Sequence, residues 1–106
     1  MKHYAVVGVD VTDQAWVAEY VKNVTRMVEH HGGRYLTRTS TVEKIEGKQK
    51  APQIVVLMEW PSREAAVGFY ESEEYRPYRQ SRLQGANNEF ILVPAEDIAN
   101  LARIDT

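Results

Sequence analysis

A chain of 106 residues has room for one domain with one modest core. It is 43% hydrophobic and 26% charged, the balance of an ordinary globular protein, and its formal net charge of −2 excludes the basic surplus that drives general nucleic-acid binding. It has no cysteine, which excludes a disulfide framework, a thiol nucleophile and a zinc–thiolate site.

His3 to Val11 reads as a strand with Tyr4, Val6 and Gly8 on one face and Ala5, Val7, Val9 and Val11 on the other. Both faces are largely apolar, so both are expected to be covered. The apolar run is too short for a signal sequence and no segment approaches the about 18 apolar residues of a membrane span, so a cytoplasmic protein is expected.

"TDQAWVAEYVKNVTRMVEHHGG" is the clearest helix. Trp16, Val17, Tyr20, Val21, Val24, Met27, Val28 and His31 form one wide apolar stripe. Thr12 or Asp13 can cap its start, and Gly32 or Gly33 can take the left-handed stop. "RYLTRTSTVEKIEG" then reads as a long strand, "GKQKAP" as a turn and "QIVVLMEW" as the second arm of a hairpin. Ile54, Val56, Met58 and Trp60 share one face of that arm, and Val55 and Leu57 make the other face apolar too.

Ser62 can cap a helix over "REAAVGFYES". Ser72 can cap a second short helix, "EEYRPYRQSRLQG", in which Pro77 is tolerated only in the first turn or as a kink. "NEFILVP" is the last strand. Residues 95–106 form a tail beyond a core of about 3–94, with Ile98, Leu101 and Ala102 at helical spacing.

The order β-α-β-β-α-β predicts an α+β, ferredoxin-like fold: one four-stranded antiparallel sheet with its helices on one face. Helices on one face leave the other bare. A bare apolar sheet face exceeds the few hundred square ångströms that a monomer usually exposes, so a homodimer packed sheet against sheet is expected.

Two blocks resemble a known family. "HGGRYL" followed by Arg38 resembles the helix-to-strand turn of the domain-of-unknown-function 1330 family, and "EWPSREAAVGFYESEEYRPY" resembles its second block. The resemblance covers about residues 3–94. It implies membership of the dimeric α/β-barrel group of ferredoxin-like proteins, whose members pair their sheets into a shared barrel. That group includes cofactor-independent monooxygenases, isomerisation enzymes and small-molecule sensors, so the fold alone assigns no function.

Several side chains are candidates for chemistry. His31 falls on the apolar stripe at the helix end, where the helix dipole favours a histidine and where it can also act as an acid or base. Its neighbour His30 points about 100° away, so the pair is not a metal grip. Arg38 is read on a strand face with Leu36 and Val42, allowing for a bulge, either paired with a carboxylate or anchoring an anionic or carbonyl ligand. Glu59 is a natural partner for an arginine. Trp16 and Tyr20, one turn apart, belong to the core or line a pocket between helix and sheet.

In "FYESEEYRPYRQSR", Tyr75, Tyr78, Arg79 and Arg82 share one helix face, while three acids balance three bases. That balance disfavours nucleic acid. It leaves either a structural lid or a pocket wall with tyrosine hydroxyls and Arg82 as its polar groups. No phosphate loop or metalloprotease motif is present.

The expected function is binding of a small, aromatic or anionic molecule in a cleft lined by Trp16, Arg38, Tyr70, Tyr78 and Arg82. The alternative is a cofactor-independent enzyme, monooxygenase- or isomerase-like, in which His31 moves a proton. Neither reading calls for a metal or cofactor.

Overall fold

The computed structural model describes residues 1–99. Leu101 and Ala102 lie outside the described residues. Four strands carry the fold: β1 (His3–Val11), β2 (Arg34–Thr39), β3 (Ile54–Trp60) and β4 (Ala86–Pro94). Three helices connect them: α1 (Val17–His30), α2 (Arg63–Tyr70) and α3 (Arg76–Gly85). The strand order is β2-β3-β1-β4, with every neighbouring pair antiparallel. This is the ferredoxin-like arrangement, with the last helical region split in two.

The buried face of the sheet follows from strand alternation. Ala5, Val7 and Val9 of β1 and Met58 and Trp60 of β3 pack against Val24 and Val28 of α1 and Phe69 of α2. Phe69 lies between Trp60, 5.3 Å away and stacked, and Tyr75, 4.3 Å away. The opposite sheet face carries the row Leu57–Val6–Ile91 across three strands, and Ile91 is 54% exposed.

Three local features differ from the sequence reading. First, β2 ends at Thr39 rather than Gly47, and residues 40–53 form a long connection instead of a tight hairpin. The far end of that connection is tied to β1: the Gln53 N–H donates to Asp10 Oδ1 at 2.8 Å, and Gln53 Oε1 accepts from the Val11 N–H at 3.0 Å. Ladder partners for residues beyond Thr39 are lost because β3 begins only at Ile54.

Second, β2 is bulged. Tyr35 pairs with Met58 and Thr37 with Leu57, so Leu36 is an extra residue. Strict alternation groups Arg38 with Leu36. The bulge shifts the parity and puts Arg38, opposite Val56, on the same inner face as Tyr35, opposite Met58.

Third, Ser72 closes the turn between α2 and α3 rather than capping a helix. Its Oγ donates to the Phe69 carbonyl at 2.8 Å and accepts from the Tyr75 N–H at 3.3 Å. A helix begun at Glu73 would set the Pro77 ring against the Glu73 carbonyl. Starting at Arg76 places Pro77 in the first turn, where its missing N–H costs nothing.

The expected caps form elsewhere. Asp13 Oδ1 accepts from the Ala15 N–H at 2.9 Å, starting a single 3-10 turn over Gln14–Trp16 that leads into α1. Ser62 Oγ accepts from the Ala65 N–H at 3.0 Å at the start of α2. Gly32 takes the left-handed position after α1 with φ 93°. Gly33 is needed for a different reason: a Cβ there would lie 2.7 Å from the Trp60 ring and 2.8 Å from Val28 Cγ1. Gly33→Ala is therefore expected to lower unfolding free energy by about 1–3 kcal/mol in urea denaturation, through overpacking of the α1–β3 junction.

Candidate functional site

Between α1 and the inner sheet face lies a cavity of about 300 Å³. Its floor is apolar: Val7 and Val9 of β1 and Ile54 and Val56 of β3. Trp16, Tyr20 and Val21 wall it on the helix side, Tyr35 and Arg38 at the β2 edge, and Phe90 and Arg82 at the β4 edge.

Arg82 is the outstanding polar group of this space. It is only 2% exposed, yet it lies within 4.0 Å of no carboxylate among the described residues. Nη2 donates to the Tyr75 hydroxyl at 3.3 Å, while buried Nε and Nη1 have no hydrogen-bond partner among the described residues. The guanidinium carbon is 5.7 Å from the centre of the Phe90 ring. A buried charge without a counter-ion is costly, and proteins rarely keep one without use.

Tyr75 passes this charge on. Its hydroxyl is 2.6 Å from that of Tyr20, which faces the cavity. When Tyr75 accepts from Arg82 and donates to Tyr20, the Tyr20 O–H is left to donate into the cavity. Burial pushes the Tyr20 hydroxyl well above its ordinary pKa, and the Tyr75 hydroxyl beside it adds to the rise. Burial also raises Tyr35, to about 12, against the opposing pull of Arg38. Both phenols are therefore neutral donors at physiological pH. Burial lowers the Arg82 pKa, but the Tyr75 and Tyr20 hydroxyls outweigh it, and its pKa is raised.

Arg38 sits at the other edge. Its guanidinium stacks 3.8 Å above the Tyr35 ring and donates from Nη1 to Thr25 Oγ1 at 2.7 Å. It too lies within 4.0 Å of no carboxylate among the described residues. Glu59 pairs with Arg34 instead, at 2.7 Å, and with Lys2 at 3.1 Å. The hydrogen bond from Arg34, then that from Lys2, holds the Glu59 carboxyl below its usual pKa.

Of the residues singled out in the sequence, the cavity brings together Trp16, Tyr20, Arg38 and Arg82. Trp16 is held by one backbone oxygen: its Nε1 donates to the Gly85 carbonyl at 3.1 Å, which also accepts from the Thr12 and Asp13 N–H groups at 2.9 and 3.1 Å. A Cβ on residue 85 would lie 2.3 Å from the indole, so only glycine leaves room for it.

Tyr70 and Tyr78 lie elsewhere. Tyr70 packs edge-on against Phe90 at 5.3 Å, beside a separate concavity with Arg63, Val67 and Leu92, and its carbonyl accepts from Arg79. Tyr78 is half-buried and packs against the core. His31 bonds through Nε2 to Glu74 Oε1 at 3.0 Å and meets Phe69 edge-on, tying the end of α1 to the turn before α3. No group of three metal-ligating side chains gathers among the described residues. None of the described helices is long and apolar enough to cross a membrane.

Tyr20, Tyr35 and Tyr75 complete the polar surroundings. Tyr20 was visible in the α1 stripe and, with Trp16, as a candidate pocket wall, and Tyr75 as a member of the Arg82 helix face. Tyr35 carried no signal, because the bulge that brings it beside Arg38 is not written in the alternation of β2.

The sequence matches the family described as a domain of unknown function (DUF1330) over residues 2–95, and the chain belongs to that family. No curated protein matches it. Among solved structures, a protein of unknown function from Rhodopseudomonas palustris superposes with a TM-score of 0.74 at 19% identity, covering 91% of this chain and 84% of that one. SnoaB, a cofactor-independent oxygenase from Streptomyces nogalater, gives 0.65 at 14% identity over 91% and 94%. A Mycobacterium tuberculosis protein gives 0.53 at 17% identity over 90% and 96%. These likenesses bear on the fold.

The unpaired Arg82 is expected to burden the empty protein. Arg82→Met, which keeps an unbranched stem and removes the charge, should raise the urea midpoint of unfolding above that of the unaltered protein. A lower midpoint would show that the guanidinium stabilises the fold.

Proposed function

We propose that this protein binds a small organic acid in the cavity between α1 and the sheet. The apolar body of the ligand rests on Val7, Val9, Ile54 and Val56, beside Trp16 and Tyr35. Its anionic oxygen is placed at the Arg82 end of the cavity, beside the Tyr20 hydroxyl. The observation that carries this reading is the buried Arg82 guanidinium at the edge of an apolar cavity, with two nitrogens that have no hydrogen-bond partner among the described residues. A carboxylate or enolate oxygen supplies the missing acceptors and the missing charge together. The cavity volume lies at the small end of ligand sites, which suits a small molecule. In this reading Trp16, Arg38 and Arg82 touch the ligand. Tyr70 and Tyr78 steady α3 from behind, and His31 has no part in the cavity.

A second reading has one specific observation in its favour. The 2.6 Å Tyr20–Tyr75 contact, backed by Arg82, is a ready-made donor for a developing enolate. That fits a cofactor-independent enzyme acting on an enolisable molecule, and SnoaB shows that an oxygenase can be built on this fold.

The protein is also proposed to pair with a second copy of itself through the outer sheet face. Tyr4, Val6, Val55 and Leu57 there are half-buried, and Leu36, Ile91 and Val93 are exposed by 45, 54 and 37%. No helix among the described residues covers that side, so sheet-to-sheet packing is the arrangement that removes this surface from water.

Two measurements test these statements. Benzoate and octanoate should stabilise the protein in thermal unfolding, by about 2.7 kcal/mol at 100 times the dissociation constant, while the matching neutral amides do much less. Arg82→Met should abolish that preference, and equal response to acid and amide would remove the reading. Light scattering at micromolar concentration should give twice the 12.2 kDa chain mass, and Ile91→Arg should return a single-chain mass. A single-chain mass for the unaltered protein would exclude the pairing.

A further inference from the structure

The cavity has a second cation, and the two arginines occupy opposite ends of it. The strand registers fix their relation. Arg38 pairs with Val56, Val56 with Val7, and Val7 with Phe90, and the Arg82 guanidinium lies over the Phe90 ring. One straight row therefore runs across the sheet: Arg38, Val56, Val7, Phe90. It spans three strand spacings of about 4.8 Å, or about 14 Å between the outer backbones. All four side chains line the same cavity. Between the cations the floor is hydrocarbon.

Only the bulge at Leu36 makes this row. Without the extra residue, Arg38 falls on the outer sheet face with Arg34, which pairs there with Glu59. The Arg38 guanidinium is held in place from two sides, by the Tyr35 ring beneath it and by Thr25 Oγ1 of α1, and its remaining N–H groups have no carboxylate within 4.0 Å among the described residues.

Resting on the organic-acid reading above, we infer that the site takes an elongated dianion: an acidic group at Arg82, an apolar middle on Val7 and Val56, and a second acidic group at Arg38. The two ends differ. The Arg82 end is buried, so its partner is stripped of water and supplies most of the binding. The Arg38 end is exposed, so its partner stays hydrated, adds a smaller gain and sets which acids are preferred. Dicarboxylates with a hydrocarbon spacer, straight or aromatic, have this chemistry.

The test is a titration series on the whole protein. Straight-chain dicarboxylates of six to ten carbons are compared with monocarboxylates of equal length by isothermal calorimetry. At the best length the diacid is expected to bind about fivefold more tightly than its monoacid, the scale of one exposed, well-placed ion pair. The gain should peak at one length and fall on either side. In Arg38→Gln, an exposed position that leaves the core intact, the diacid should lose its advantage, the ratio of its affinity to that of the equal-length monoacid falling to about one. Diacids no tighter than monoacids at every length, or an advantage that survives Arg38→Gln, overturns the dianion inference and leaves the organic-acid reading standing. Octanoate binding that is absent, or unchanged in Arg82→Met, overturns both.

Discussion

A guanidinium held out of water, with no carboxylate beside it among the described residues, organises this protein. Arg82 meets one hydroxyl, that of Tyr75, which meets Tyr20, so a single polar chain crosses from α3 to α1. The Gly85 carbonyl makes the second tie between the same two regions, accepting from Thr12, Asp13 and the Trp16 indole. Together they hold Trp16 and Tyr20 over the sheet at a distance that leaves the space beneath them open. A charge at the edge of that space cannot be stabilised by the apolar floor, and this asymmetry gives the cavity its polarity.

The sheet has two apolar faces and uses them differently. Its inner face is covered by α1 and α2 near Trp60 and Phe69, where the packing is tight enough to require a glycine at position 33. Toward Val9, Ile54 and Phe90 the cover is incomplete and the cavity opens. The outer face, with Leu57, Val6 and Ile91 in one row, is covered by no helix among the described residues. A closed core at one end, an open cavity at the other and a bare face behind are consequences of placing three helices on one side of four strands.

Periodicity and capping chemistry carried most of the architecture. The α1 stripe, the alternation of β1, the Ser62 cap, the left-handed Gly32 and the placing of Pro77 in a first turn all depend on the covalent preferences of a few neighbouring residues, so they were legible locally. The Arg82 helix face was legible for the same reason: three- and four-residue spacing put Tyr75 and Arg82 on one side, and both are buried. Where β2 ends was not legible. Thr41 and Val42 have strand character, but the Asp10–Gln53 contacts start β3 at a point that leaves them without a ladder partner.

By itself the sequence determined which segments are helix and strand, their order, and that the strands are apolar on both sides, because these are matters of local spacing and composition. Tertiary structure alone decided which candidates meet. Trp16, Arg38 and Arg82 line one cavity, while Tyr70, Tyr78 and His31 face other surroundings, although all six lie on the elements expected to form the site. Arg38 reaches the cavity through one extra residue in a strand, a register effect that needs the neighbouring strand to define it. Arg82 has no counter-ion among the described residues although Glu71, Glu73 and Glu74 lie close by in sequence, because the helix turns the arginine inward and leaves the three acids at the surface.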